Sequence, residues 1–420
     1  MRRQRPSRNG LAGSLALVAL GLVAGSARAD WPQYGGPDRN FKVGAAGLAD
    51  SWSAAAPRPL WRRPLGEGYS GVAVANRRLF TLYRDGGDEV AAALDPGNGQ
   101  TLWEQRWPEP DARLNRQYGP GPHSTPLVVA GRVFAVGALG RLAALDAASG
   151  RTLWTRELVD DLGGTLMDRG YAPSPIAWRD TVIVPVGGAG HAVVAFRQSD
   201  GGLVWSSQDF GNAPSSPLLI DVGGATQLVV FMAAEIAGLD PESGALLWRH
   251  EHRTRWDLNI SMPVWNAEDG ILFYSSAYDA GSGALRLTRE GDATRAEPLW
   301  FTNQLRIQFT NAMRIGDVVF GSSGDFGPVP MTGVDATTGK ILWRDRSFGR
   351  SSILHADGKL ILLDEDGKLG LARLEESGLD VLGEYQVCDR RTWTPPTLHG
   401  RILYVRDREE LVALELPGGR

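Results

Sequence analysis

One pattern recurs along this chain and constrains it more than any other feature: apolar–Leu–Asp, a few turn residues, Gly, three residues, Trp. It runs from Ala93-Leu94-Asp95 through Gly99 to Trp103, and from Ala144-Leu145-Asp146 through Gly150 to Trp154. Gly238-Leu239-Asp240, Gly244 and Trp248 repeat it, as do Gly333-Val334-Asp335, Gly339 and Trp343. Ala195-Phe196-Arg197 to Trp205 and Leu285 to Trp300 are weaker copies, and Leu371 to Tyr385 carries Tyr in place of Trp. Each copy reads as a β-hairpin. The Asp accepts hydrogen bonds from the turn backbone, the Gly supplies a positive φ, and the aromatic starts the next strand and packs between sheets.

Two further strand signals precede each copy. Ser124 to Val129 leads to a turn at Ala130-Gly131, Arg132 to Val136 leads to Gly137–Gly140, and Arg141 to Leu145 follows. Four strands in a unit of about 40–50 residues describe a propeller blade. The aromatics Trp61, Trp103, Trp154, Trp205, Trp248, Trp300, Trp343 and Tyr385 lie 42 to 52 residues apart and count eight blades. The last blade, Pro395 to Leu416, lacks its aromatic strand, and Pro59 to Leu65 holds one at the other end of the chain. The expected fold is therefore all-β: an eight-bladed β-propeller of four-stranded antiparallel blades over residues 58–420, closed by the N-terminal strand in the last blade. Closure of this kind removes sheet edges that otherwise aggregate. A seven-bladed ring follows if the Leu371–Tyr385 copy is an insertion. Residues 30–57, rich in Gly, Pro, Asp and Asn, are expected to form an irregular N-terminal strap.

Residues 1–29 have the features of a secretory signal peptide: four arginines among the first eight residues, an uncharged apolar run from Leu11 to Gly25, and a small-residue ending at Ala29. The run is short for the roughly 20 residues that span a bilayer, so cleavage before Asp30 and a periplasmic or secreted location are expected. The segment holds five arginines and no acid, so its removal takes the formal net charge from −4 to −9. That balance argues against nucleic acid or anionic lipid as a bulk-charge partner, and no later segment is apolar and long enough to span a membrane. Cys388 is the only cysteine, which leaves no internal disulfide, no C-x-x-C-H haem site and no cysteine-rich metal site; it reads as a buried small apolar residue.

Propellers bind ligands at the mouth of the central channel, where each innermost strand begins. In repeat register those positions are Tyr69-Ser70, His123-Ser124, Tyr171 with Ser174, Ser215-Ser216, Asn259 with Ser261, Thr310-Asn311, Ser351-Ser352 and Trp393-Thr394. Ser/Thr before Pro serves equally as a cap of the entrance turn. Loops longer than a blade requires add Arg116 and Tyr118, Asp168 and Arg169, and His250, His252, Arg255, Trp256 and Asp257. The candidate ligand residues are Tyr69, Arg116, His123, Arg169, Tyr171, Asp257, Asn259, Asn311 and Trp393. His250 and His252 share a strand face but have no third ligand at a supporting spacing, so two exposed histidines are the simpler reading. No P-loop, G-x-S-x-G or H-E-x-x-H motif is present.

The repeat, as in Ala144 to Trp154, resembles the PQQ repeat of quinoprotein alcohol dehydrogenases, and is shared with BamB-type propellers of outer-membrane protein assembly. Trp31 to Arg39, Trp256 to Asn259, Trp393 to Pro396 and Tyr404 to Leu411 are similar to exported PQQ-binding-like β-propeller proteins. The resemblance spans nearly the whole chain after the signal. It implies either a periplasmic binding or assembly scaffold, with a periplasmic or outer-membrane protein partner and no evident catalytic set, or a PQQ-dependent alcohol or sugar dehydrogenase with PQQ and Ca²⁺ in the channel mouth. The dehydrogenases use an adjacent cysteine pair, which a lone Cys388 cannot supply, and a Glu/Asn/Asp calcium site of which only Asp257 and Asn259 have counterparts here. In that alternative, Trp393 or Tyr171 stacks on the quinone and Arg116 or Arg169 pairs with its carboxylates.

Overall fold

The computed structural model describes Met1 and residues 30–44, 46–109, 114–115, 117–327 and 329–419. The expected signal peptide, apart from Met1, lies outside the described residues, as does Arg116. Among those described there are 32 strands and no helix. The strands form eight antiparallel sheets of four, each pairing its members in chain order except the last. In that blade Thr397–His399, Ile402–Arg406 and Glu410–Glu415 are completed by Arg58–Pro64, with Trp61 opposite Ala413. Thr397 Oγ1 then donates to the Val72 carbonyl of blade 1 at 2.7 Å, which closes the ring. Eight blades form, and the Leu371–Tyr385 copy is a blade of its own.

The middle strands are buried on both faces, because each blade packs between two neighbours. Thr181–Pro185 and Lys359–Asp364 are buried throughout. Inside/outside alternation survives only toward the ring's rim, as in Thr101–Pro108. The repeated hairpin behaves as its sequence requires. Asp146 Oδ1 accepts from the Ala148 and Ser149 amides, Asp335 Oδ1 from Thr337 and Thr338. Gly150 has φ 75°, and a Cβ on it would lie 2.5 Å from the Trp103 indole of the preceding blade. Trp103 Nε1 donates to the Ala147 carbonyl in that same turn. Trp61, Trp154, Trp205 and Trp300 dock on the next blade in the same way. Blades 5 and 7 lack this turn, since their third and fourth strands run on into tight hairpins at 290–293 and 375–378. Trp248, facing blade 5, donates instead to Gln227 Oε1 of its own blade, and Trp343 Nε1 has no acceptor among the described residues.

Blade 7 corrects the reading of Tyr385 as its repeat aromatic. The bulge that follows Ala93 opposite Trp103 follows Leu371 opposite Gly383, so the aromatic position holds glycine; Tyr385 pairs two residues further along, with Leu369. Trp52, from the segment before the ring, takes the place. Its amide donates to the Leu382 carbonyl, and a Cβ on Gly383 would lie 2.5 Å from Trp52 Cβ.

The rest of that segment runs across the face opposite the channel mouth. Trp31 pairs with Val74, the Pro32 carbonyl accepts from Val128, Phe41 and Val43 bond the His355 backbone, and Asp357 accepts from the Ala46 and Leu48 amides. Trp31, Phe41, Leu48 and Trp52 are all buried in the ring's largest apolar cluster. Cys388 belongs to that cluster and is a free thiol whose pKa burial pushes up to about 12.

Candidate functional site

Most innermost strands are only three residues long, as at Ala73–Ala75, Leu127–Val129 and Ile176–Trp178. The residues before them ring the channel mouth. Several of the hydroxyl side chains there bridge blades. Gly71 N donates to Thr125 Oγ1, Thr125 N to Ser174 Oγ, and Ser174 N to Ser216 Oγ, linking blades 1 to 4. Thr394 Oγ1 reaches back from blade 8 to the Tyr69 carbonyl. Each bond satisfies a backbone group that the short strand leaves without a ladder partner.

Several expected ligand residues belong to this framework. Asn311 grips the Ile353 backbone of the next blade, donating to its carbonyl at 2.8 Å and accepting from its amide at 2.9 Å. Asn259 is fully buried; its amide donates to the Met232 carbonyl and its oxygen accepts from Ser276 at 2.5 Å. Tyr171 lies in the core between blades 2 and 3 and donates to the Pro185 carbonyl; burial raises its pKa. Asp257 is exposed on a turn with φ 57°. The structure does not gather these four into one pocket.

It does gather Tyr69, His123, Arg169 and Trp393. Tyr69 stacks on His123 (centroids 5.4 Å, planes 9° apart) and on Trp393 (5.5 Å, 28°), and its hydroxyl donates to the Tyr118 carbonyl. Trp393 also meets Tyr118 at 5.5 Å and Phe309 at 4.9 Å. Its indole donates to Glu365 at 3.0 Å. Guanidinium groups lie over three of these rings: Arg391 on Trp393, Arg350 on Phe309 and Arg169 on Tyr118, 4.2 to 5.0 Å from the centroids. His123 Nε2 is 3.2 Å from the Arg169 carbonyl, which fixes the proton on that nitrogen. Burial, with Arg169 and Arg406 nearby, pulls its pKa down to about 4.

A second aromatic group continues across the same face. Trp256, 51% exposed, meets Tyr278 at 5.0 Å, and Tyr278 meets Phe326, 72% exposed, at 6.4 Å. Gln308, beside Phe309, joins the two groups by donating to the Tyr278 hydroxyl at 2.6 Å. Arg255 lies over Trp256. Among the described residues Arg169, Arg255 and Arg391 form no ion pair. Phe309, Phe326, Arg350 and Arg391 are not among the residues that the repeat singles out, because its register picks a pair of positions per blade opening and passes over their neighbours. The available signal was aromatic residues in the long loops on the mouth side of blades 6 to 8.

His250 and His252 do share a face, around Tyr274. His252, however, is buried against Phe231, Tyr274 and Phe301, and only His250 bonds the tyrosine, at 3.0 Å. The reading of two exposed histidines is corrected. Burial pulls the His252 pKa down to about 4, with His250 adding to the effect. An unfolded histidine takes its proton near 6.5 and the native one only near 4, so the native state loses stability as pH falls through that window. His252→Gln is expected to shrink the drop in unfolding free energy between pH 7 and pH 4.5, read from urea titrations at both. An unchanged drop would mean that another group carries it.

The fold and the mouth together define a PQQ-like propeller whose channel opening is packed with aromatic side chains. The chain belongs to the family of the outer membrane protein assembly factor BamB, whose model matches residues 35–129 and 86–329. BamB of Shewanella oneidensis is 22% identical over 296 residues, 68% of this chain and 72% of that protein. Among solved structures, BamB from Moraxella catarrhalis has a TM-score of 0.60 at 15% identity, covering 86% of this chain and 98% of its own. The quinohemoprotein alcohol dehydrogenase of Comamonas testosteroni reaches 0.62 at 13% identity, covering 94% and 82%. At such identities the structural likeness speaks for the fold alone.

Proposed function

We propose that this chain is an exported scaffold of outer-membrane protein assembly that holds a protein partner on the mouth face of its ring. The carrying observation is the aromatic belt from Trp256 through Phe326 to Trp393 and Tyr69, with solvent-facing rings at one end and cation–π arginines along it. Trp, Tyr and Arg are enriched among the few side chains that dominate binding energy at protein interfaces. Family membership supports the same reading, since the relatives are named as outer membrane protein assembly factors. The apolar leader at residues 1–29 supports export. No helix among the described residues is long and apolar enough to cross a membrane.

The dehydrogenase alternative needs residues that hold a planar quinone and a calcium ion. Trp393 is already contacted by Tyr69, Tyr118, Phe309 and Arg391, so a stacking ligand has to displace one of them. Asn259 spends its side chain on Met232 and Ser276, and the described residues hold no group of three or more His, Cys, Asp or Glu arranged for a metal. These side chains do not fit the pair of cofactors.

A photo-crosslinking phenylalanine analogue at Phe326 is expected to trap a component of the outer-membrane assembly machinery in cells, identified by mass spectrometry. The same analogue at exposed Arg179, on the opposite face, should not. Equal trapping at both positions, or none at Phe326, overturns the docking assignment.

A further inference from the structure

A cavity of about 400 Å³ enters the ring from the face opposite the mouth, within the roughly 300–1,000 Å³ typical of small-molecule sites. The backbone of the N-terminal segment bonds to blades 1, 2, 7 and 8 on this face, and its edge stands against the inner strands of blades 2, 3 and 4. Those strands contribute an apolar wall that includes Leu127, Ile176, Leu218 and Leu219. The segment contributes Arg39 and, at the solvent side, exposed Asp38.

Arg39 is the unusual member. It is 2% exposed and forms no ion pair among the described residues. Its Nη1 donates to the Gln33 side chain at 3.2 Å and the Pro175 carbonyl at 3.1 Å, and its Nη2 to the Ser174 carbonyl at 3.4 Å. A guanidinium has five N–H groups. Two are therefore left over, and one is the buried Nε, which has no acceptor. A buried cation without a counter-ion is costly, and burial lowers the Arg39 pKa to about 9. An apolar wall with one unneutralised guanidinium suits an amphiphilic anion. Asp38 at the rim disfavours a second negative charge.

We infer that this cavity is a binding site for a monocarboxylate with an apolar body, its carboxylate paired with Arg39 and its chain against Leu127, Ile176 and Leu218. The site lies on the face opposite the proposed docking belt and stands independently of it. A carboxylate–guanidinium pair contributes about 1.5–3 kcal/mol, or roughly tenfold to a hundredfold in affinity.

The probe is sodium octanoate, titrated calorimetrically into the full-length mature chain, with 1-octanol as the uncharged control. Saturable octanoate binding is expected, with octanol at least about tenfold weaker. Arg39→Met should bring octanoate down to the octanol level while urea unfolding reports a folded chain. Leu219→Trp, which fills the cavity and leaves Arg39 in place, should abolish binding of both, and it decides the matter if Arg39→Met does not fold. Octanoate binding no stronger than octanol, or unaltered by Leu219→Trp, overturns the inference, as does the absence of saturation at about 10 mM octanoate.

Discussion

Trp52→Gly is expected to cost the ring about 3–5 kcal/mol, the range for truncating a buried tryptophan, and a second change, Gly383→Trp, to restore most of it. The argument rests on register. Seven blades carry their own tryptophan opposite the residue before the outer bulge, whereas blade 7 carries Gly383 there. Trp52 is buried beside that position, in the cluster that joins blades 7 and 8. Glycine rather than alanine is required at residue 52 in the swap, because the two Cβ positions would lie 2.5 Å apart. For the same reason Gly383→Trp alone should be more damaging than Trp52→Gly, since two indoles cannot share one slot. Urea unfolding of the two single variants and the double variant measures the coupling directly. A swap no more stable than Trp52→Gly alone would show that the slot and the repeat position are not equivalent.

Arg406→Met should be comparably severe, at about 3–5 kcal/mol, because it opens the seam where the ring closes. Arg406 is 1% exposed, and its Nη1 donates to the carbonyls of Ser70 and Leu82, both at 2.7 Å, and to Thr81 Oγ1 at 3.1 Å. Its Nη2 reaches the Gly66 carbonyl at 3.2 Å. One blade 8 side chain thus saturates acceptors in and just before blade 1. Burial holds its pKa at about 9, with Asp407 opposing the shift. Replacing a buried ion by a hydrophobe is often harmless when its partner goes too, but here the acceptors are backbone and remain. Each stranded buried acceptor costs about 1–3 kcal/mol, which outweighs the relief of desolvating no charge. Arg406→Lys should fall between, since one ammonium cannot span the carbonyls that a planar guanidinium forks across. Urea unfolding, with hydrogen exchange at residues 70–82, is the check. Wild-type stability in Arg406→Met would place the closure energy elsewhere, in the Arg58–Pro64 strand.

Local rules carried the sequence reading far. An Asp-turn-Gly hairpin is set by neighbours in the chain, so its Asx bonds and positive φ were legible at Asp146 and Gly150 before any fold was known. Seven copies of one hairpin, plus an aromatic strand at the N-terminal end and a last blade that lacks one, were enough to close the ring through Trp61. The same rules failed at Tyr385, because position 383 holds no side chain and the aromatic that serves it comes from outside the repeat.

The mouth divided along the same line. Repeat register pointed to the ends of the inner strands, where Tyr69, His123 and Trp393 are neighbours. It could not separate a residue of the aromatic group from a strut, since Asn311 stands only two residues beyond the position that Tyr69 holds in its blade, and what each does depends on what the adjacent blade offers. Ile353 presents a free amide and carbonyl to Asn311, whereas His123 and Trp393 present ring faces to Tyr69.

What the amino-acid order determined by itself was the module and its number, because these follow from hydrogen bonds and turn conformations between residues close in sequence, and the pairing of the chain's two ends, because each end holds the part of a blade that the other lacks. What only the tertiary structure decided was where neighbouring modules touch: Trp52 against Gly383, Arg406 across the seam, and Arg39 deep in the channel. Those contacts lie outside the repeat, unlike the docking of Trp103 on Gly150, so nothing periodic in the chain marks them.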